Sequence, residues 1–390
     1  MRNKIIIGSA LFLITLMIVI FTNSDYQNSS ATKQANGHPV IAENHFQNQK
    51  YFESSITLNA IGDLLIHSTV YKDARTSSGY DFNPMFKDIK YYLQNADITF
   101  ANQETVLGGS QIGLSTYPQF NTPQELGDTL KDVGVDIVSM ANNHTLDRGE
   151  QAILNATNYL DQLGIKYVGA YQNEKDQQTQ RIIHRKGIAV GFLAYTYGTN
   201  GIPIPDGKNH LVNYIDEDKI LNDIQDLKPK TDFIVVSMHF GNQYQPLPND
   251  EQVHLSELLT NNGADVIIGH HPHVIQPVDW ISTDEGEDKF VAYSLGNFLS
   301  GQKGTDRLIG AIMQIKLTKT INSNLTTEYK VSDAKMMPTY NQYENFQNYK
   351  VVPLVEANQY SLSNAKQWFE DKKELIQTFT NRVEVVPYLE

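Results

Sequence analysis

The chain has 390 residues, 40% hydrophobic and 10% aromatic, enough to bury a sizeable core without cross-links or a structural metal. It contains no cysteine, which excludes thiolate metal sites, thiol nucleophiles, disulfide frameworks and a lipid carried on an N-terminal Cys. A formal charge of -13 leaves no general basic surface, so nucleic acid is not an expected partner, and an anionic substrate needs a local positive feature such as a bound metal cluster.

At the N-terminus, Arg2 and Lys4 precede an apolar run over residues 5–21, and no further charge appears before Asp25. This predicts a single membrane span within residues 1–22, with its N-terminus inside and the rest of the chain outside the cytoplasm. A cleaved signal peptide is the alternative, although the run exceeds the roughly 7–15 residues of such a segment. Residues 23–55 are rich in Asn, Gln and Ser, lack apolar periodicity, and read as a flexible extracytoplasmic spacer.

Short apolar runs at 56–61, 98–101, 137–140, 188–195, 233–238, 266–268 and 290–295 predict buried strands. Between them, residues 84–93, 124–133, 150–163, 216–227 and 250–261 carry helical patterns with polar or proline starts. Such alternation implies an α/β layered domain over residues 56–308 with substantially parallel pairing. Residues 309–390 are expected as a small α+β extension packed on that domain, with strands at 309–317 and 326–337 and a helix at 363–381.

Polar, metal-competent residues stand just after successive predicted strands, where open α/β sheets place their sites. They are Gly62-Asp63 with His67, then Asn102 and Glu104, then Asn142-Asn143-His144 with Asp147 and Gly149. Later strands deliver His239, Gly241 and Gln243, then Gly269-His270-His271-Pro272-His273, and lastly Ser294 to Phe298 with Asn297. Taken singly, each has a plain reading: Gly-Asp as a capped turn, His67 as a surface or satisfied histidine, Asn102 and Glu104 as loop hydrogen bonding. Three adjacent polar side chains at Asn142-Asn143-His144 are costly where a simple turn would do. Six of the 11 histidines follow predicted strands, and a ligand set of carboxylate, amide and imidazole without sulfur suits Mn, Zn or Fe.

The order of these motifs, from Gly62-Asp63 through His271-Pro272-His273 to Tyr293-Ser294-Leu295-Gly296-Asn297-Phe298, resembles the bacterial capsule-synthesis CapA family, also called PgsA-like. That family in turn resembles calcineurin-like metallophosphatases, which implies a layered sandwich of two mixed β-sheets flanked by helices, with two divalent transition metal ions between the sheets. On the resemblance, Asp63 and His67 hold one ion, completed by His273, and Glu104 bridges. Asn143, His239 and His271 hold the second, while His144, oriented by Asp147, is the general acid or anion binder. Asn102, Asn142, Gln243 and Asn297 are then the substrate-side residues. Two departures stand out: Asp63 and His67 are four apart rather than in a tighter Asp-x-His, and Gln243 replaces a Glu common in relatives.

Two functions follow. The first is assembly or export of poly-γ-glutamate or a related anionic surface polymer, working with membrane ligase and export subunits. ATP-driven ligation is excluded for this chain itself, because it has no Gly-x-x-x-x-Gly-Lys loop. The second is a dinuclear metal-dependent hydrolase acting on a phosphoester or amide of a small envelope substrate.

Overall fold

The computed structural model describes residues 50–390; the expected span and all but the last residues of the expected spacer lie outside them. Strands β1 (Lys50–Leu65), β2 (Ile98–Asn102), β3 (Ile137–Ser139) and β4 (Lys166–Val168) run parallel, side by side in that order. The chain then builds a second sheet from β5 (Arg181–Arg185), β6 (Ile188–Thr196), β7 (Phe233–His239), β8 (Val266–His270), β9 (Val278–Ser282) and β10 (Asp288–Ala292). Its order is β5-β6-β7-β8-β10-β9, parallel at its centre and antiparallel at both edges.

The remaining strands, β11 (Asn297–Ser300), β12 (Ile309–Asn322), β13 (Thr327–Glu344), β14 (Gln347–Pro353) and β15 (Glu384–Val385), return to the first sheet. Its order becomes β14-β13-β12-β1-β2-β3-β4, with β11 parallel beside the end of β1 and β15 beside β13. Both sheets are mixed. The segment after Leu308 thus continues the first sheet: β12 pairs with β1 from Lys50 to Ile61. That pairing also draws β1 back to Lys50, ahead of the boundary expected at residue 56.

Period-two patterning explains why two sheets stack. In β7, Phe233 and Val235 point into the core between the sheets, while Ile234, Val236 and Met238 pack outward beneath the helices Glu217–Leu227 and Asp250–Asn261. The inter-sheet core also takes Leu58 and Ala60 of β1, Phe100 of β2 and Ile268 of β8, and Phe100 stacks on Phe192 with ring centroids 6.2 Å apart. A second outer core buries Phe86, Leu126, Leu130, Ile153 and Leu160 between the first sheet and its helices, Glu125–Asp132 and Gly149–Leu163 among them. Four layers result, helices outside two facing sheets.

The expected helix over 84–93 is two short pieces, Asn83–Phe86 and Lys90–Gln94, which still bury Phe86 and Leu93 in that outer core. The run 290–295 is not one strand. Gly296, at φ 66°, turns the chain so that β10 ends at Ala292 in the second sheet and β11 starts at Asn297 in the first.

Candidate metal centre

Both sheets aim the carboxyl ends of their parallel strands at one place, and two glycines make the approach possible. A Cβ on Gly62 would stand 1.9 Å from the carbonyl oxygen of Gly296, and one on Gly269 would stand 1.9 Å from that of Tyr293. Asp63 and His270 follow these glycines directly. Asp63, Glu104 and His273 then meet with ligand atoms within 4.8 Å of one another, all three buried. Nδ1 of His273 lies 3.0 Å from Oδ2 of Asp63, and its Nε2 lies 3.7 Å from Oε1 of Glu104.

His239 enters from β7, with Nε2 at 2.9 Å from Oδ1 of Asn143 and 3.8 Å from Oε1 of Glu104. The His271 ring sits 4.9 Å from that of His239 and 5.9 Å from that of His273. His271 and His273 hold φ of 98° and 59°, a left-handed backbone that side chains with a Cβ adopt at a cost. His67 stands outside the group of three. Its Nδ1 lies 2.9 Å from Leu65 O and takes the backbone N–H of Gly301 at 3.1 Å, while its ring packs edge-on against Phe120.

Nδ1 of His144 lies 2.7 Å from Oδ2 of Asp147, an oxygen that also accepts the backbone N–H of Phe120. Asn102 donates to Oδ1 of Asp63 at 2.8 Å, so it orients a carboxylate of the cluster. Asn142 is spent on its own loop, donating to Gln103 O and accepting from the backbone N–H of His144. Asn297 donates to Gln302 and to the carbonyl of Arg307, and Gln243 is exposed.

The electrostatics of the cluster are those of buried, closely packed titratable groups. Both carboxylate oxygens of Glu104 are buried with no hydrogen-bond partner among the described residues. Burial, with the charges of Asp63 and Asp147, pushes its carboxyl well above the usual range. Burial also acts to raise Asp63, but contacts with His270 and His273 outweigh it and hold that carboxyl below the usual range. His271 is lowered to about 3 and His67 to about 4, chiefly by burial, and His239 falls well below its ordinary value for the same reason. Neutral imidazoles are the form that ligates a divalent cation, and a cation beside the unpartnered Glu104 would replace the proton that burial favours there, so the residues present fit one.

Four neighbours lie outside the expected ligand set. His270 was read only as part of its motif; its Nδ1 is 3.3 Å from Oδ1 of Asp63. Asn200 accepts from Asn143 at 3.1 Å and contacts Nδ1 of His144 at 3.4 Å. Tyr197 stacks on His239, and Phe120 sits edge-on to His144 with centroids 4.7 Å apart. Asn200, Tyr197 and Phe120 owe their places to loop paths, whereas His270 ends β8.

These features define an α/β sandwich of two mixed sheets with a carboxylate–histidine cluster at the strand ends. The family model described as bacterial capsule synthesis protein PGA_cap matches residues 57–302, and the chain belongs to that family. It is 28% identical over 288 residues to the capsule biosynthesis protein CapA of Bacillus anthracis, a match covering 71% of this chain and 66% of that one. It is 27% identical over 277 residues to the PGA biosynthesis protein CapA of Bacillus subtilis, covering 69% of this chain and 70% of that one. Among solved structures it is similar to the calcineurin-like phosphoesterase YfkN of Bacillus subtilis, with TM-score 0.39 and 13% identity, over 83% of this chain and 97% of that one.

Proposed function

We propose that this chain, held at the membrane by residues 1–22 with its main domain outside the cytoplasm, acts in the assembly or export of poly-γ-glutamate or a related anionic capsule polymer. The observation that carries the reading is Glu104, a buried carboxylate with two unpartnered oxygens beside Asp63 and His273. Asp63, Glu104 and His273 would hold one divalent cation, and His239, His271 and Asn143 would hold a second beside it. Mn, Zn and Fe suit these ligands. When bound, such ions supply the local positive charge and Lewis acidity that a chain of charge -13 otherwise lacks. Asn102 keeps Asp63 oriented, and membrane ligase and export subunits would provide the energy-requiring ligation. Two relatives carry capsule or PGA biosynthesis in their names, in keeping with this role.

A hydrolase reading has its own support in the His144–Asp147 pair. Asp147 fixes Nδ1 of His144 and leaves Nε2 as the atom that would hand a proton to a leaving group. The test is polymer yield in a strain lacking the gene, complemented with wild type or with the double variant His271→Ala and His273→Ala, alongside elemental analysis of the purified chains. Absent polymer and absent metal in the variant support assembly. Longer polymer or accumulated phosphoester supports hydrolysis, and metal-free wild-type protein overturns both.

A further inference from the structure

Beside the cluster lies a pocket of about 510 Å³ that the motifs do not account for, bordered by Tyr244, Ile275, Asp306, Arg307 and Lys372. Tyr244 ties it to the cluster: its backbone N–H donates to the carbonyl of Pro272, between the two histidines, and its ring lies 6.1 Å from that of His273. Across the pocket, the guanidinium carbon of Arg307 sits 4.8 Å from the centre of the Tyr244 ring.

The two cations here are not equivalent. Lys372 is buried, and its ammonium lies 2.6 Å from Asp306, so its charge is already matched. Arg307 is half-buried and is in no ion pair among the described residues. Its position is set from three sides: Tyr244 stacks on it, its carbonyl accepts from Asn297, and Gly304, at φ 97°, has Nη2 of Arg307 3.1 Å from where a Cβ would stand. An oriented guanidinium with free donors, one aromatic ring away from a metal-competent cluster, is a receptor for a planar anion.

We propose that Arg307, backed by Tyr244, is a carboxylate-binding subsite that holds the free α-carboxylate of a γ-linked glutamyl residue while a neighbouring part of the chain lies over the Asp63–Glu104–His273 cluster. The subsite rests on the polymer reading above and supplies its specificity. It recognises one side group per repeat through paired N–H donors, with the paired Lys372 and Asp306 bordering the same pocket.

The experiment is calorimetric titration of the full-length, metal-loaded chain in detergent with a short γ-linked glutamate oligomer and with the same oligomer carrying α-carboxamides. Loss of a charge-assisted pair is expected to weaken the acidic oligomer about ten- to a hundredfold in Arg307→Ala. Arg307→Lys should recover only part of that, since an ammonium cannot present two parallel donors. The carboxamide oligomer should bind weakly to wild type and equally weakly to Arg307→Ala, and metal content should be the same in all three proteins. Equal binding of the acidic oligomer to wild type and Arg307→Ala overturns the subsite and leaves the polymer reading standing. Failure of the wild-type chain to bind either oligomer overturns both.

Discussion

Nε2 of His239 and Oδ1 of Asn143 meet at 2.9 Å although 96 residues separate them, one ending a strand of the second sheet and the other in the turn after a strand of the first. The contact joins β7 to the loop after β3, and the same His239 nitrogen lies 3.8 Å from Oε1 of Glu104. Neither can be removed without changing what the other does.

Replacing Asn143 or His239 by Ala is therefore expected to lower metal retention to a similar degree, and the double variant to lose little more. The interaction free energy should be about 0.5–3 kcal/mol, the range for residues that share partners. Elemental analysis and thermal melts of the four proteins would measure it. Strictly additive losses would refute the shared site.

Glu104→Gln should make the metal-free protein more stable than metal-free wild type by about 1–3 kcal/mol at neutral pH, because it removes a buried carboxyl that must take up a proton when the chain folds. Its folded carboxyl is held above the ordinary value, chiefly by burial, so the folded chain keeps a proton that the unfolded chain releases. Wild-type stability without metal should consequently decline as pH rises from about 4.5, with that decline reduced in the variant. Added metal should raise the wild-type melting temperature and leave Glu104→Gln unmoved. Urea midpoints at pH 5 and pH 8, with and without metal, provide the comparison.

His271 occupies φ 98°, where a Cβ is unfavourable and glycine is not. His271→Gly and His271→Ala should retain equally little metal, while the glycine variant is the more stable of the two by about 1 kcal/mol. Denaturant titration of both without metal decides it, and a less stable glycine variant would show that the backbone there is unstrained.

Away from the cluster, Asp265 is buried with Lys289 at 2.7 Å, and the other carboxylate oxygen accepts the backbone N–H of Ile234. Lys289→Met should cost about 3 kcal/mol by leaving that carboxylate without its cation. Burial already raises the Asp265 carboxyl, and losing Lys289 raises it further. The variant's deficit should thus be larger at pH 8 than at pH 5, where a proton can replace the lost partner. A deficit that does not vary with pH would mean that Asp265 stays ionised.

What the sequence made legible followed its apolar runs. The helix Asp250–Asn261 has the bounds read from its pattern, because Asn249 and Gln252 form a capping box at its start. The central strands were readable as unbroken apolar stretches. Strands β4 and β5 were not, since β4 is three residues long and β5 is a mixed-polarity edge. Strand β14 begins with Gln347 and Asn348 and shows no run. At the site, Asp63, Glu104 and His273 follow predicted strands and come together. His67 lies at the N-terminus of the helix Ser68–Asp73, which turns it toward Phe120 and Gly301, a path that spacing alone does not reveal.

Asp63 and His273 lie 210 residues apart, one in β1 of the first sheet and the other in the loop after β8 of the second, so no stretch of nascent chain shorter than that contains the cluster. Contacts of such separation form late, after the loop between them has been closed at an entropic cost. An ion therefore cannot seed the folding of this protein in the way zinc seeds a small finger. An ion held there would meet an assembled cleft, slow the reopening of that cleft, and so mark which molecules have finished folding.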